Sequence, residues 1–240
     1  MPAEFTQAEL RRAFERWGLP QGIRVDNGWP WGSAGDLPTD LALWLIGLGP
    51  EVRWNPPRRP QKNGVVERSQ GTGKRWAHPA TCEDVEALRR RLEEQDDIQR
   101  RWYPSISGRS RMEAFPGLRH SGRPYRPGEE AGRWDVRRVL DHLSEYVLTR
   151  RVDDGGTISL YNRSRYIGKA LRGREVYVTL DPSTAEWMYS DGEGRCHARH
   201  KAEELSSERI LQLDVSRHRD RVRPPRQNPR ASLPAQPGCA

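Results

Sequence analysis

No run of apolar residues in this sequence approaches the ~18 that a membrane-spanning helix needs. The opening MPAEFTQAEL also lacks the basic and then apolar pattern of a signal peptide. Cysteine is scarce, with three widely separated residues, Cys82, Cys196 and Cys239. This excludes a disulfide scaffold and indicates a reducing compartment. We therefore expect a cytoplasmic protein without a membrane partner.

Acidic residues are fewer than basic ones, 33 against 41, which gives a formal net charge of +8. A basic chain is suited to polyanions, because each cation brought to a phosphate releases a condensed counterion. Charge alone does not separate DNA from RNA or an anionic membrane, and a solvated arginine surface explains it equally well. Only 34% of residues are hydrophobic, but nine Trp and seven Tyr can supply large buried areas.

Helical and strand patterns alternate in the first part of the chain, which indicates an α/β domain over residues 1–115. The expected elements are a helix over 3–17, a strand over 23–25, a helix over 37–48, a strand over 51–54 and helices from 64 and from about 81. Residues 116–133 are rich in Pro and Gly and predict a linker. Residues 134–215 contain short strands separated by Gly turns, which predicts a small all-β, barrel-like domain. Residues 216–240 are rich in Arg and Pro and predict a disordered basic tail.

Two short stretches carry the chemistry. Ile23–Gly28 places Asp26 at the end of a strand, before a tight turn. Pro60–Arg68, PQKNGVVER, places Glu67 in the first turns of a helix. Asp-Asn-Gly alone is usually a plain turn, and a lone helix Glu is usually solvated. Together, a strand Asp and a helix Glu can converge on one divalent cation, because hard cations prefer oxygen ligands.

This joint pattern resembles the second and third acids of the Asp-Asp-Glu triad of bacterial insertion-sequence transposases and retroviral integrases, whose catalytic core is RNase H-like. Further segments resemble the same family: residues 102–104 and 109–115 the end of the catalytic domain, and residues 152–158 and 166–168 its C-terminal β-barrel. The spacing between the two acids is longer than is common in the family, which predicts a small insertion. The resemblance implies metal-dependent DNA strand transfer in transposition and DNA integration.

The resemblance also implies residue roles. Asp26 and Glu67 would be catalytic ligands of Mg²⁺ or Mn²⁺, and Asn63 would line the same active site. Lys74, two helical turns after Glu67, would hold DNA phosphate, with Arg68 and Arg75 as weaker candidates. A solvated lysine is an equally good explanation of Lys74.

The β-rich part offers further cations for DNA, which suit phosphate contacts: Arg150, Arg151, Arg163, Arg165, Arg172 and Arg174. A solvated sheet surface is the alternative explanation. Cys196, His197 and His200 lack the second ligand pair of a structural zinc site, so we expect no zinc there.

The first acid of the triad should lie on a strand upstream of Asp26, and this sequence has none. Two metal ions need a bridging ligand for in-line displacement at phosphorus. We therefore expect weak metal binding and no strand transfer by the chain alone. The alternatives are a non-catalytic DNA-binding remnant and a regulatory partner of a full-length transposase. Expected partners are DNA, both element ends and target, and a second copy or a full-length relative.

Overall fold

The computed structural model describes residues 2–32, 36–56 and 64–216, with only the backbone for residues 65 and 66. The elements before residue 115 are α1 Ala3–Trp17, β1 Gly22–Val25, α2 Asp40–Leu48, β2 Glu51–Trp54, α3 Gly64–Ala77, α4 Val85–Arg101 and α5 Arg111–Ala114. Those after it are α6 Glu130–Arg133, α7 Val136–Ser144, β3 Leu148–Arg151, β4 Thr157–Leu160, β5 Arg163–Tyr166, β6 Glu175–Asp181, β7 Glu186–Ser190, β8 Cys196–Lys201 and α8 Ser207–Leu211. The predicted tail from residue 217 onward, with Cys239, lies outside the described residues.

The first part is built on a strand–helix–strand unit. β1 and β2 pair in parallel, with Ile23 opposite Val52, and α2 connects them. A parallel pair requires a crossover of this kind, because a tight hairpin can join only antiparallel strands. Thr39 caps α2 by accepting a hydrogen bond from Ala42 N, and Gly49 ends it in the left-handed conformation, at φ 98°. Every residue of α2 after Asp40 is buried, so this helix is the centre of the molecule.

Residues 64–119 form a helical arm made of α3, α4, α5 and short 3-10 turns. None of the described residues between 55 and 124 belongs to the main buried hydrophobic cluster. The arm contacts α1 through an Arg89–Glu9 ion pair of 2.7 Å and through Arg100, which lies 3.7 Å from the centre of the Trp17 ring. The large exposed apolar side chains of the arm include Val85, Leu92, Ile98, Trp102, Tyr103, Phe115 and Leu118.

The second part contains a four-stranded antiparallel sheet in the order β3-β6-β7-β8 and a separate hairpin, β4-β5. The prediction of many short strands is confirmed, but among the described residues β3 and β8 remain open edges, and the sheet does not close into a barrel. Four short strands are too few to wrap around a filled interior. The part is also not all-β, because it contains α7, which packs against β6 and whose Val139 and Leu143 are buried.

One buried cluster includes residues from both parts of the chain. Trp134 stands against α2 at Gly47, where an added Cβ would lie 2.1 Å from the indole ring. The Trp134 indole N–H donates to the Trp44 carbonyl at 3.0 Å, and Arg138 donates to the Gly47 carbonyl at 2.9 Å. These bonds satisfy carbonyls near the end of α2 and attach α7 to it. The buried core therefore continues past residue 115 and past residue 134, while the predicted division into domains remains a prediction.

The segment predicted as a linker, residues 116–133, is anchored by buried Glu130. Its carboxylate accepts two hydrogen bonds from Arg11, at 3.0 and 2.5 Å, one from the Trp44 indole at 3.2 Å and one from the Tyr125 hydroxyl. Burial raises the pKa of Glu130, but the bonds from Arg11 and Tyr125 outweigh it, and the net pKa lies below the ordinary value. The charged form is thus the stable one in the folded protein.

Two sequence motifs meet at a pair of glycines. Gly156 has φ 81°, and its carbonyl accepts hydrogen bonds from Ile167 N at 2.9 Å and Gly168 N at 3.1 Å. A Cβ at Gly156 would lie 2.7 Å from the backbone of Gly168. The turn before it is closed by Asp153, whose carboxylate accepts from Thr157 N and Oγ1; these bonds lower the pKa of Asp153. Only glycine fits at position 156, where the segment 152–158 contacts the segment 166–168.

The described chain is therefore mixed α/β, as the sequence predicted. No helix among the described residues is both long and apolar enough to span a membrane.

Candidate metal and nucleic-acid site

Asp26 directly follows β1 and begins a tight turn. Its Oδ1 accepts a hydrogen bond from Gly28 N at 3.0 Å, and Gly28 O accepts from Trp31 N at 2.9 Å. An Asp side chain that bonds two residues ahead stabilises such a turn, so the predicted turn after β1 is confirmed. The side chain remains exposed, and its second oxygen points to no described donor.

The Asp26 turn is attached to the end of β2. The Asn27 side-chain amide donates to the Asn55 carbonyl at 2.9 Å, and Asn55 N donates to the Val25 carbonyl at 2.9 Å. Asp26 therefore lies at the carboxyl edge of two parallel strands. Open parallel sheets place their ligands at this edge, because loops from neighbouring strands converge there.

Glu67 lies in the first turn of α3, as the sequence predicted, and its side chain is exposed. An acidic side chain is favoured in this position, because the first turn of a helix carries partial positive charge. Asn63, one turn earlier, lies outside the described residues. So does most of the connection between β2 and α3, residues 57–63.

Among the described residues, no cation compensates the charge of Asp26 or Glu67. No ion pair within the described ranges involves either carboxylate, although 16 such pairs occur elsewhere. Each carboxylate supplies oxygen ligands of the kind that a hard divalent cation prefers. In the described part of the chain, no three Asp, Glu, His or Cys side chains form a group that could hold a metal ion, and the convergence of Asp26 and Glu67 on one cation remains a prediction.

The cations predicted on α3 are all exposed. Lys74 lies two turns after Glu67, on the same helical face. Arg68 and Arg75 share a second face with Gly64 and Gly71, where an added Cβ would have no neighbour within 4 Å. No side-chain hydrogen bond or ion pair of these three cations occurs among the described residues, so they are available to an external anion.

Arg165, predicted to bind DNA, is committed inside the protein instead. Its guanidinium makes two hydrogen bonds to the Glu204 carboxylate, at 2.6 and 2.5 Å. The side chains are 9% and 1% exposed, and the Trp187 indole also donates to Glu204, at 2.8 Å. Arg163 is partly buried, and its Nε has no hydrogen-bond partner in the described structure. The alternation of residues along β5 puts both arginines on one face, and no local pattern indicates that this face is covered.

The remaining sequence-predicted features fall into two groups. Arg150 pairs with Asp36 at 2.6 Å and Arg172 with Asp154 at 2.7 Å, which leaves them less free for DNA. His197 and His200 make hydrogen bonds to Asp191 and to the Tyr166 carbonyl, both at 2.7 Å. In each of these histidines one ring nitrogen is therefore already hydrogen-bonded within the protein.

The chain matches no model of a known protein family.

Proposed function

We propose that this chain is a DNA-binding protein of the transposase and integrase type, related to enzymes of metal-dependent strand transfer. One observation carries the proposal: Asp26 follows the first strand and Glu67 lies on the last helix of a strand–helix–strand–helix unit, and neither carboxylate pairs with a described cation. The strands are parallel, and the Glu helix continues into an exposed cationic face. The order of these elements agrees with what the sequence resemblance implies.

The carboxylates and the cations suit different parts of one substrate. Asp26 and Glu67 would hold a divalent cation, which supplies Lewis-acid activation of a phosphodiester oxygen when bound. Lys74, Arg68 and Arg75 would hold the flanking phosphates, which position DNA without reading its sequence. The two glycines beside Arg68 and Arg75 allow a backbone phosphate to approach the helix closely.

Salt-dependent DNA binding tests the interface on α3. Neutralising Arg68, Lys74 and Arg75 together to glutamine should weaken binding of a labelled duplex, measured by fluorescence anisotropy. Each phosphate contact contributes about 0.9 to the slope of log K against log salt, so the slope should fall by about 2 to 3 between about 50 and 200 mM salt.

A matched control removes the same charge at cations that are already paired. Arg12, Arg53 and Arg101 each form an exposed ion pair with a near neighbour, Glu9, Glu51 and Asp97. Changing these three to glutamine should alter the slope far less. Equal effects of the two triple variants would show that only net charge matters and would refute an interface on α3.

The catalytic part of the proposal has its own test. We expect the purified chain to bind DNA equally well with Mg²⁺ and with a chelator, and to perform no strand transfer alone. Strand transfer that depends on Mg²⁺ and is lost in Asp26→Asn would contradict this expectation and assign full activity to the chain. Loss of DNA binding in chelator would contradict the separation of binding from metal.

A further inference from the structure

A cavity of about 350 Å³ lies between α3 and α4 and is bounded by α5. We call it the α3–α4 groove. Its lining includes Gln70 and Lys74 from α3, Leu92, Gln95 and Gln99 from α4, and Arg111 from α5. Gly73 also lines it, and the space beside this glycine is open, because an added Cβ there would have no neighbour within 4 Å. The volume is at the lower end for a small-molecule site.

Gln99 is the most buried of the residues that line this groove. It is only 7% exposed, and its carboxamide makes no hydrogen bond with any other described residue. Since Gln99 lines the groove, its amide can both donate to and accept from a group that enters from outside.

Two cations give the groove its preference for an anion. Lys74 and Arg111 both line it, and neither has an ion-pair partner in the described structure. Arg111 is the first residue of α5, whose capping box fixes the local backbone: Ser110 Oγ accepts from Glu113 N at 3.2 Å and Ser110 N donates to Glu113 Oε2 at 2.6 Å. A phosphate between the two cations would neutralise both.

The other polar groups argue against a bare phosphate as the ligand. Gln95 and Gln99 can both donate and accept, and Asp96, also in the lining, can only accept. A phosphate has nothing to donate to these acceptors, whereas the edge of a nucleobase carries donors and acceptors side by side. Leu92 provides an apolar surface for the face of a ring.

We propose that the α3–α4 groove binds one unpaired nucleotide of a DNA strand, with its phosphate on Lys74 and Arg111 and its base edge on Gln95 and Gln99. The base must be unpaired, because pairing in a duplex occupies that edge and the groove is too small for a base pair. The inference rests on the proposed function in taking DNA as the partner. It does not involve Asp26 or Glu67.

The experiment compares a blunt duplex with the same duplex carrying a single-stranded overhang, using the full chain and fluorescence anisotropy. The wild-type protein should bind the overhang duplex more tightly. Gln99→Leu keeps the side-chain volume but removes the hydrogen bonds, and it should weaken overhang binding by about tenfold, the effect of losing one two-point base contact. Binding of the blunt duplex should stay within twofold.

A control on the same helix is Arg90→Gln. Arg90 is exposed, has no partner among the described residues and does not line the groove. It should affect both duplexes equally. Arg111→Gln provides a second groove variant if Gln99→Leu fails to fold, and it too should weaken the overhang duplex selectively. A deoxynucleoside monophosphate should compete for the overhang duplex, whereas the same concentration of inorganic phosphate should not.

The outcomes separate this inference from the proposed function. If Gln99→Leu and Arg111→Gln weaken both duplexes equally or not at all, or if inorganic phosphate competes as well as the nucleotide, the nucleotide site is refuted and general DNA binding stands. If the wild-type protein binds neither duplex, the proposed function itself fails.

Discussion

Replacing Glu204 with glutamine removes the negative charge from a deeply buried ion pair and leaves Arg165 charged and uncompensated. Both side chains are almost inaccessible, and two hydrogen bonds of 2.6 and 2.5 Å join them. Breaking a buried pair from one side costs about 3 to 5 kcal/mol, because the remaining charge keeps its desolvation penalty without its partner. For a chain of this size the melting temperature should fall by about 10 °C.

The assay is equilibrium unfolding in urea, followed by tryptophan fluorescence, with thermal melting as a second measurement. Glu51→Gln is the matched control, because Glu51 and Arg53 form a similar two-bond pair, at 2.7 and 2.5 Å, on the exposed surface. Exposed pairs contribute little to stability, so this control should leave the midpoint nearly unchanged.

A double variant, Arg165→Met with Glu204→Leu, removes both buried charges and should recover most of the lost stability. The same variant tests whether Arg165 serves DNA. The structure predicts unchanged DNA affinity, since the guanidinium is committed to Glu204. A Glu204→Gln protein as stable as the Glu51→Gln control would refute the reasoning, and so would a double variant that is less stable than the single one.

Other predictions concern Gly156, which packs against Gly168, and Glu130, the buried carboxylate in residues 116–133. Gly156→Ala should lower the free energy of unfolding by about 2 to 5 kcal/mol, because alanine strains the left-handed backbone and its Cβ overlaps Gly168. The control Gly132→Ala, in α6, should be neutral or slightly stabilising, because its added Cβ meets no atom within 4 Å. Equal unfolding midpoints of the two variants in urea would contradict this prediction. Because the folded pKa of Glu130 lies below its unfolded value, its contribution is full above the unfolded pKa of ~4.3 and is lost as pH falls through the folded pKa. The difference in melting temperature between wild type and Glu130→Gln should therefore be largest near neutral pH and shrink in acid. A difference that grows on acidification would show that Arg11 does not stabilise the carboxylate.

Local patterns in the sequence predicted the elements that depend on local contacts. The helix over 3–17 and the strand over 51–54 agree with α1 and β2 to the residue, and the strand before Asp26 differs by one residue. The predicted helix over 37–48 begins three residues too early, because Thr39 is the residue that caps it. The turn at Asp26 was also predictable, since its bond to Gly28 N is local.

Long-range packing was not predictable from these patterns. The helix α7 was missed although Val136, Val139, Leu140 and Leu143 have helical spacing, because the surrounding turn signals favoured strands. The burial of Arg165 depends on Glu204, which is remote in sequence, and a charged residue on a short strand normally indicates solvent. Gln99 carries no signal in the sequence at all, because its significance lies in the groove that three separate helices enclose.

The helical arm joins the body mostly through polar and cation–aromatic contacts rather than through the shared core. A substitution in α3 or α4 therefore disturbs little of the packing that keeps the rest of the molecule folded. Mutations in this arm should accumulate freely where nothing binds and be eliminated where something does. Among natural variants of the chain, the pattern of tolerated change along α3 and α4 would then trace the binding surface without any need to measure stability.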